Sequence, residues 1–105
     1  MAFAEKRLAQ VTPVAEETAL TVSSGTVIIT NIMMCNTTSS ATNIKVYCVP
    51  NGKSADNTTA IYYDYEIPAN MTYTKKLWLV LDTVGDSIVI DSIGITYTIS
   101  GARVT

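Results

Sequence analysis

The stretch Thr26–Val49 reads TVIITNIMMCNTTSSATNIKVYCV, and its first half carries apolar residues on both parities, where a half-solvated strand would alternate. A strand with one face in water alternates apolar and polar residues, so this run asks for cover on both faces. After the polar turn residues Thr37 to Ala41, the pattern changes: Ile44, Val46 and Cys48 share one parity and Lys45 takes the other. Two strands separated by a turn follow, both rich in the Thr, Val and Ile that suit a pleated surface.

The same grammar extends in both directions. Turn signals recur at Ser23-Ser24-Gly25, Pro50-Asn51-Gly52, Pro68-Ala69-Asn70, Val84-Gly85-Asp86 and Ser92 to Gly94. They punctuate strands expected near 9–13, 18–22, 26–35, 42–49, 59–67, 71–81, 87–91 and 94–100. That spacing predicts an all-β fold: an antiparallel, jelly-roll-like β-sandwich of about eight strands. Residues 1–8 are expected to form a short N-terminal arm and residues 9–105 a single β-sandwich domain; the one helical candidate, Ala4 to Ala9, is too short for an independent helix.

Parity divides each strand into two faces. Ile61, Tyr63, Tyr65 and Ile67 fall on one side of their strand, with Tyr62, Asp64 and Glu66 on the other. Ile28, Ile32 and Met34, then Leu77, Leu79 and Leu81, Ile88 and Ile90, and Ile93, Ile95, Tyr97 and Ile99 complete an internal set. Left on the opposite parity are Val27, Ile29, Met33, Cys35, Tyr47, Val49, Trp78 and Val80. So many apolar side chains exceed what a soluble monomer leaves in water if they lie contiguously. They are the candidate protein interface. The alternative at this point is cover from within the chain, by a strand that switches sheets, by an overlying loop, or by the arm with Phe3 and Leu8.

If the strands on either side of Asn36 to Thr42 pair as a hairpin, Ile32 faces Cys48 and Met34 faces Val46. Cys35 then points to the other face, and the two thiols, about 13 Å apart along the strand direction, stay free. A β-bulge, by shifting parity, would change that reading.

Composition closes several functional classes. The 105-residue chain contains no His, and seven Lys plus Arg against nine Asp plus Glu give a net charge of −2. Without His, the usual proton shuttle and the commonest zinc ligand are missing, and no Ser-x-x-Lys spacing supplies a substitute base. Asp64 with Glu66, and Asp82 with Asp86, are the paired carboxylates; the first pair reads as a solvated strand face and Asp86 as a turn-fixing side chain. The second loop is too poor in acidic ligands for a tight calcium site. No phosphate-cradling or dinucleotide-binding glycine pattern is present. Neither catalytic residue, metal nor cofactor is therefore expected, and the chain is not read as an enzyme. Lys6-Arg7 and Lys75-Lys76 form no basic stripe, which argues against nucleic acid as a partner. No run approaches a membrane span, and MAFAEKRLAQ lacks a signal-peptide core, so the expectation is a chain made in a cytoplasm with no membrane partner. Asn36, Asn57 and Asn70 open N-x-Thr triplets that a Thr-rich chain produces by coincidence.

Four segments, in order, carry a resemblance: Leu8 to Pro13, the run TVIITNIMMCN from Thr26 to Asn36, Ile67-Pro68-Ala69-Asn70-Met71-Thr72, and Val84-Gly85-Asp86-Ser87-Ile88-Val89-Ile90. From about residue 8 to residue 100 the chain resembles small virion structural proteins of tailed bacteriophages. The resemblance implies a non-enzymatic β-sandwich located in the virion. Its partners would be the major capsid protein or other virion proteins and further copies of itself, as for a capsid decoration or cement protein. A tail- or fibre-associated receptor or glycan-binding module is the other role it implies, with Tyr62, Tyr73 and Trp78 as stacking platforms.

Overall fold

The computed structural model describes residues 6–104. Eight strands account for most of them: β1 (Lys6–Val11), β2 (Glu17–Thr21), β3 (Thr26–Asn36), β4 (Thr42–Val49), β5 (Ala60–Ile67), β6 (Thr72–Leu81), β7 (Ser87–Asp91) and β8 (Ile95–Val104). Every strand inferred from the turn signals is present, with ends displaced by a few residues. The largest displacements are at β8, which runs on past residue 100 to Val104, and at β1, which begins early enough to include Lys6, Arg7 and Leu8 of the expected arm; residues 1–5 lie outside the described residues. Gly94 shows why a turn signal was reliable: its φ of 81° is left-handed, and a Cβ there would sit 2.5 Å from Cγ2 of Thr38.

The strands form two four-stranded antiparallel sheets, sheet A in the order β1-β8-β3-β6 and sheet B in the order β2-β7-β4-β5. Pairings β1·β8, β2·β7, β3·β6 and β4·β5 make the chain one long ribbon folded back at residues 50–59; β3·β8 and β4·β7 then roll it up. This is the jelly-roll arrangement, and it makes the expected architecture correct. It overturns the local hairpin, however, because β3 and β4 lie in different sheets. Ile32 faces Ile99 and Lys75, while Cys48 faces Ile88. Both cysteines are free. Sheet separation, rather than strand parity within a hairpin, keeps them apart.

The core is the space between the sheets. Ile32 and Met34 from β3, Ile44 and Val46 from β4, Ile88 and Ile90 from β7, and Tyr97 and Ile99 from β8 are all fully buried there. Each such aliphatic side chain contributes about 1.5–3 kcal/mol through burial. Parity breaks where the backbone bulges. Between Ile29 and Asn31 the register of β3 slips against both β6 and β8, so Val27 and Ile29 join the core and Ile28 turns outward. In edge strand β5, register slips around Asp64, whose φ is 53°, and again between Ala60 and Tyr62. Tyr62 consequently packs on the core while Tyr63 is exposed, the reverse of the alternation in the sequence. Ile93, expected inside, sits on the β7–β8 turn and is 65% exposed.

Polar clamps hold the ends of the roll. Asn36, 1% exposed, donates from Nδ2 to the carbonyls of Ser40 and Ile67 and accepts at Oδ1 from the Thr38 amide and hydroxyl. With its amide fully engaged, Asn36 is a structural tie and no glycan acceptor. At the opposite end, the Asp86 carboxylate accepts from the Thr83 amide at 3.1 Å and the Asn51 amide at 2.8 Å, the turn-fixing role its position suggested.

One core phenol is shifted well away from its ordinary value. Burial pushes the Tyr97 phenol from 10.0 up to about 12, against the opposing effect of its 2.7 Å hydrogen bond with Ser92. The raised value means that the fold favours the neutral phenol, so this stabilisation is intact below pH 10 and is lost as pH rises through about 12. Phenolate absorbance during an alkaline titration should show Tyr97 ionising last, together with loss of the β-sheet circular dichroism. Tyr97→Phe should delete that final step; complete ionisation near the ordinary tyrosine value in a folded protein would contradict the assignment.

Candidate protein interface on the outer face of sheet A

The registers of sheet A align its solvent-facing residues in rows. Arg7, Ser100, Asn31 and Lys76 form one row across all four strands, and Gln10, Thr98, Met33 and Thr74 form the next. Ala102, Ile28 and Val80 lie beyond the bulge, and Thr96, Cys35 and Thr72 lie toward the other end. Trp78 projects from β6 between the Lys76 and Val80 rows, on the same parity. The face is therefore a bed of short hydroxyl side chains carrying a small number of large apolar ones.

Those large residues are open to solvent: Trp78 is 64%, Val80 50% and Met33 40% exposed. Cys35 is half-buried on the same face. Four of the eight candidate interface residues are thus brought together on one flat surface. The other four are covered by the chain itself, which corrects their placement. Val27 and Ile29 are fully buried in the core because of the Thr30 bulge. Tyr47 and Val49 do lie outside sheet B, but they form a second apolar cluster with Val89, against which Ala55 and Ala60 pack. The 50–59 loop folds back over them, held by Lys53 N to Pro50 O, Thr59 N to Asp56 O and the Asp56 cap on Thr58. Burial accordingly raises the Tyr47 phenol above its ordinary value.

Reasoning by parity missed Ile28, Asn31 and Lys76 as members of this face. Lys76 was readable, since it shares parity with Trp78 and Val80, and so was Asn31, which shares parity with Met33 and Cys35; Ile28 requires the bulge. Asn31 Oδ1 is buried with no hydrogen-bond partner among the described residues. A buried acceptor left without a donor costs on the order of 1–3 kcal/mol.

The remaining candidates do not converge on chemistry. Asp64 makes a 3.2 Å ion pair with Lys45, and that hydrogen bond raises the lysine pKa. Asp86 is committed to backbone amides, and among the described residues no three His, Cys, Asp or Glu side chains cluster as metal ligands. A solvent-open hollow of about 420 Å³ beside the 50–59 loop is lined by Glu16, Glu17 and Lys53 together with Thr18, Ser54 and Ser87. Of the three proposed stacking platforms, Tyr62 packs on the core and Tyr73 is half-buried with the Lys75 ammonium 5.5 Å from its ring centre. Trp78 alone of these stands well exposed.

No family model and no curated protein sequence matches this chain. Among solved structures, it is similar to a chain of infectious bursal disease virus, Gx strain, at 12% identity and a TM-score of 0.39, covering 97% of this chain and 30% of that one. A chain from the Gt strain of the same virus matches at 10% identity and a TM-score of 0.40, covering 98% of this chain and 28% of that one. The chain thus spans less than a third of the length of either. Both likenesses concern the course of the strands and assign no site.

Proposed function

We propose that the protein is a non-enzymatic structural component of a virion, and specifically a capsid decoration or cement protein of a tailed bacteriophage that docks through the outer face of sheet A. The observation that carries this reading is the joint exposure of Met33, Trp78 and Val80 on one flat sheet. An open sheet face carrying a few large apolar anchors suits repeated shallow contacts on a lattice, where many modest interfaces acting together give tight retention. Met33 adds an adaptable surface and Trp78 a large anchor, the residue types favoured at interface centres. The rival reading, a glycan-binding module at a tail or fibre tip, retains one of its three aromatic platforms.

The test is incorporation. Met33→Asp and Trp78→Asp alter exposed positions, so each variant should stay folded and soluble, within about 1 kcal/mol of the parent. Both should be depleted several-fold from purified particles, in which the parent chain is present in hundreds of copies by quantitative gel. Normal incorporation of both variants would remove this face from the assembly; a few copies per particle, with saturable binding on a glycan array, would favour the tail.

A further inference from the structure

Strand order reveals a separation of charge. Among the described residues, the four strands of sheet A carry Lys6, Arg7, Lys75, Lys76 and Arg103 and no carboxylate. Those of sheet B carry Glu17, Asp64, Glu66 and Asp91 against Lys45 alone. Lys75 turns inward onto the rings of Tyr65 and Tyr73, so the outer face of sheet A presents Arg7 and Lys76, while that of sheet B presents Asp64, Glu66 and Asp91 around Lys45. The outer faces of a sandwich point in opposite directions, and these two carry opposite net charge.

The placement on the two faces is complementary. On sheet A, Arg7 and Lys76 share a row with Ser100 and Asn31 between them, three strand spacings or about 14 Å apart. Beside that row stand Met33 and Trp78. On sheet B, the 50–59 loop covers one half of the outer face; the uncovered half presents Asp91 and the Asp64 bulge on either side of Lys45, about 10 Å apart, with Glu66 in the adjacent row. Exposed Tyr63 provides an apolar surface there, its ring already beneath the Lys45 ammonium at 5.3 Å.

We infer that the partner covering the outer face of sheet A is a second copy of this chain, presenting the acidic outer face of its sheet B. Pairing two sheet A faces would set Arg7 and Lys76 against their own copies, and like charges held face to face oppose association. Unlike faces attract and bury the apolar anchors together. Such a contact is heterologous: each copy keeps one unused face, so assembly continues into an open array or closes as a ring. This inference rests on the structural reading above and names the partner for the same face.

Sedimentation velocity on the purified chain, over a dilution series and at low and high salt, tests it. The parent should show a weight-average mass above the monomer that grows with concentration, and high salt should weaken association at least about tenfold, because the exposed pairs are screened. Lys76→Glu spoils the basic face and Glu66→Lys the acidic one; each variant alone should sediment as a folded monomer. Mixed together they should form a capped 1:1 complex, since each retains the face that the other lacks. A parent that remains monomeric throughout, a mixture that does not associate, or a closed dimer broken by Lys76→Glu but indifferent to Glu66→Lys would each overturn the inference. If the purified chain fails this test while Met33→Asp and Trp78→Asp are still lost from particles, a different virion protein covers the face; the structural reading then stands and this inference does not.

Discussion

Gly101→Ala is expected to lower the melting temperature by roughly 15 °C, corresponding to a loss of about 3 kcal/mol. Gly101 lies in β8 opposite Ile29, where β3 bulges. A Cβ at this position would run into the carbonyl oxygen of Ile28 and would stand 2.9 Å from both the Ile28 carbonyl carbon and the Ile29 Cα. These are backbone atoms of a central strand, paired on both sides, so no rotamer change relieves the clash. Either β8 or β3 must move, and each belongs to the layer that closes the core. A thermal melt followed by circular dichroism reads the effect directly, and a variant within about 2 °C of the parent would show that the two backbones are less closely apposed.

The second large effect separates neighbours in the sequence. Ile29→Ala should destabilise the fold by about 3 kcal/mol, since it empties a fully buried site between the sheets. Ile28→Ala should cost less than about 1 kcal/mol, because that side chain lies on the outer face beside Val80. Chemical denaturation of the two variants with unchanged slope distinguishes them. Equal losses, or the reverse order, would mean that β3 runs through the sheet without its bulge.

That pair also shows what was legible in the sequence. Strand existence was readable because turns need particular residues: Gly52, Gly85 and Gly94 with left-handed φ, Asn70 likewise, and Asp86 with its carboxylate on two amides. Face assignment was readable only as far as the first bulge. Thr30 and Asp64 sit at register slips without being glycine, so nothing in the local composition marks them, and parity reverses across each. Val27, Ile29, Tyr62 and Tyr63 were misplaced for that single reason. Tyr47 and Val49 were assigned to the outer face of a sheet correctly, but a loop that folds back over its own sheet cannot be seen in strand periodicity. Strand neighbours are a global property of the roll, so the pairing of β3 with β8 and the segregation of charge between sheets emerge only from the folded chain.

What survives from the original leftover set is smaller and more sharply defined than the sequence implied. Met33, Cys35, Trp78 and Val80 occupy one face, joined by Ile28 and bordered by Arg7 and Lys76. Their exposure in a well-covered jelly roll is the central claim, and hydroxyl-radical footprinting of Met33 and Trp78 tests it most directly. Oxidation of both side chains should be rapid in dilute, isolated protein and fall several-fold in intact particles containing it. Equal oxidation in the two states would contradict the account, because the face would then remain in water where the protein works.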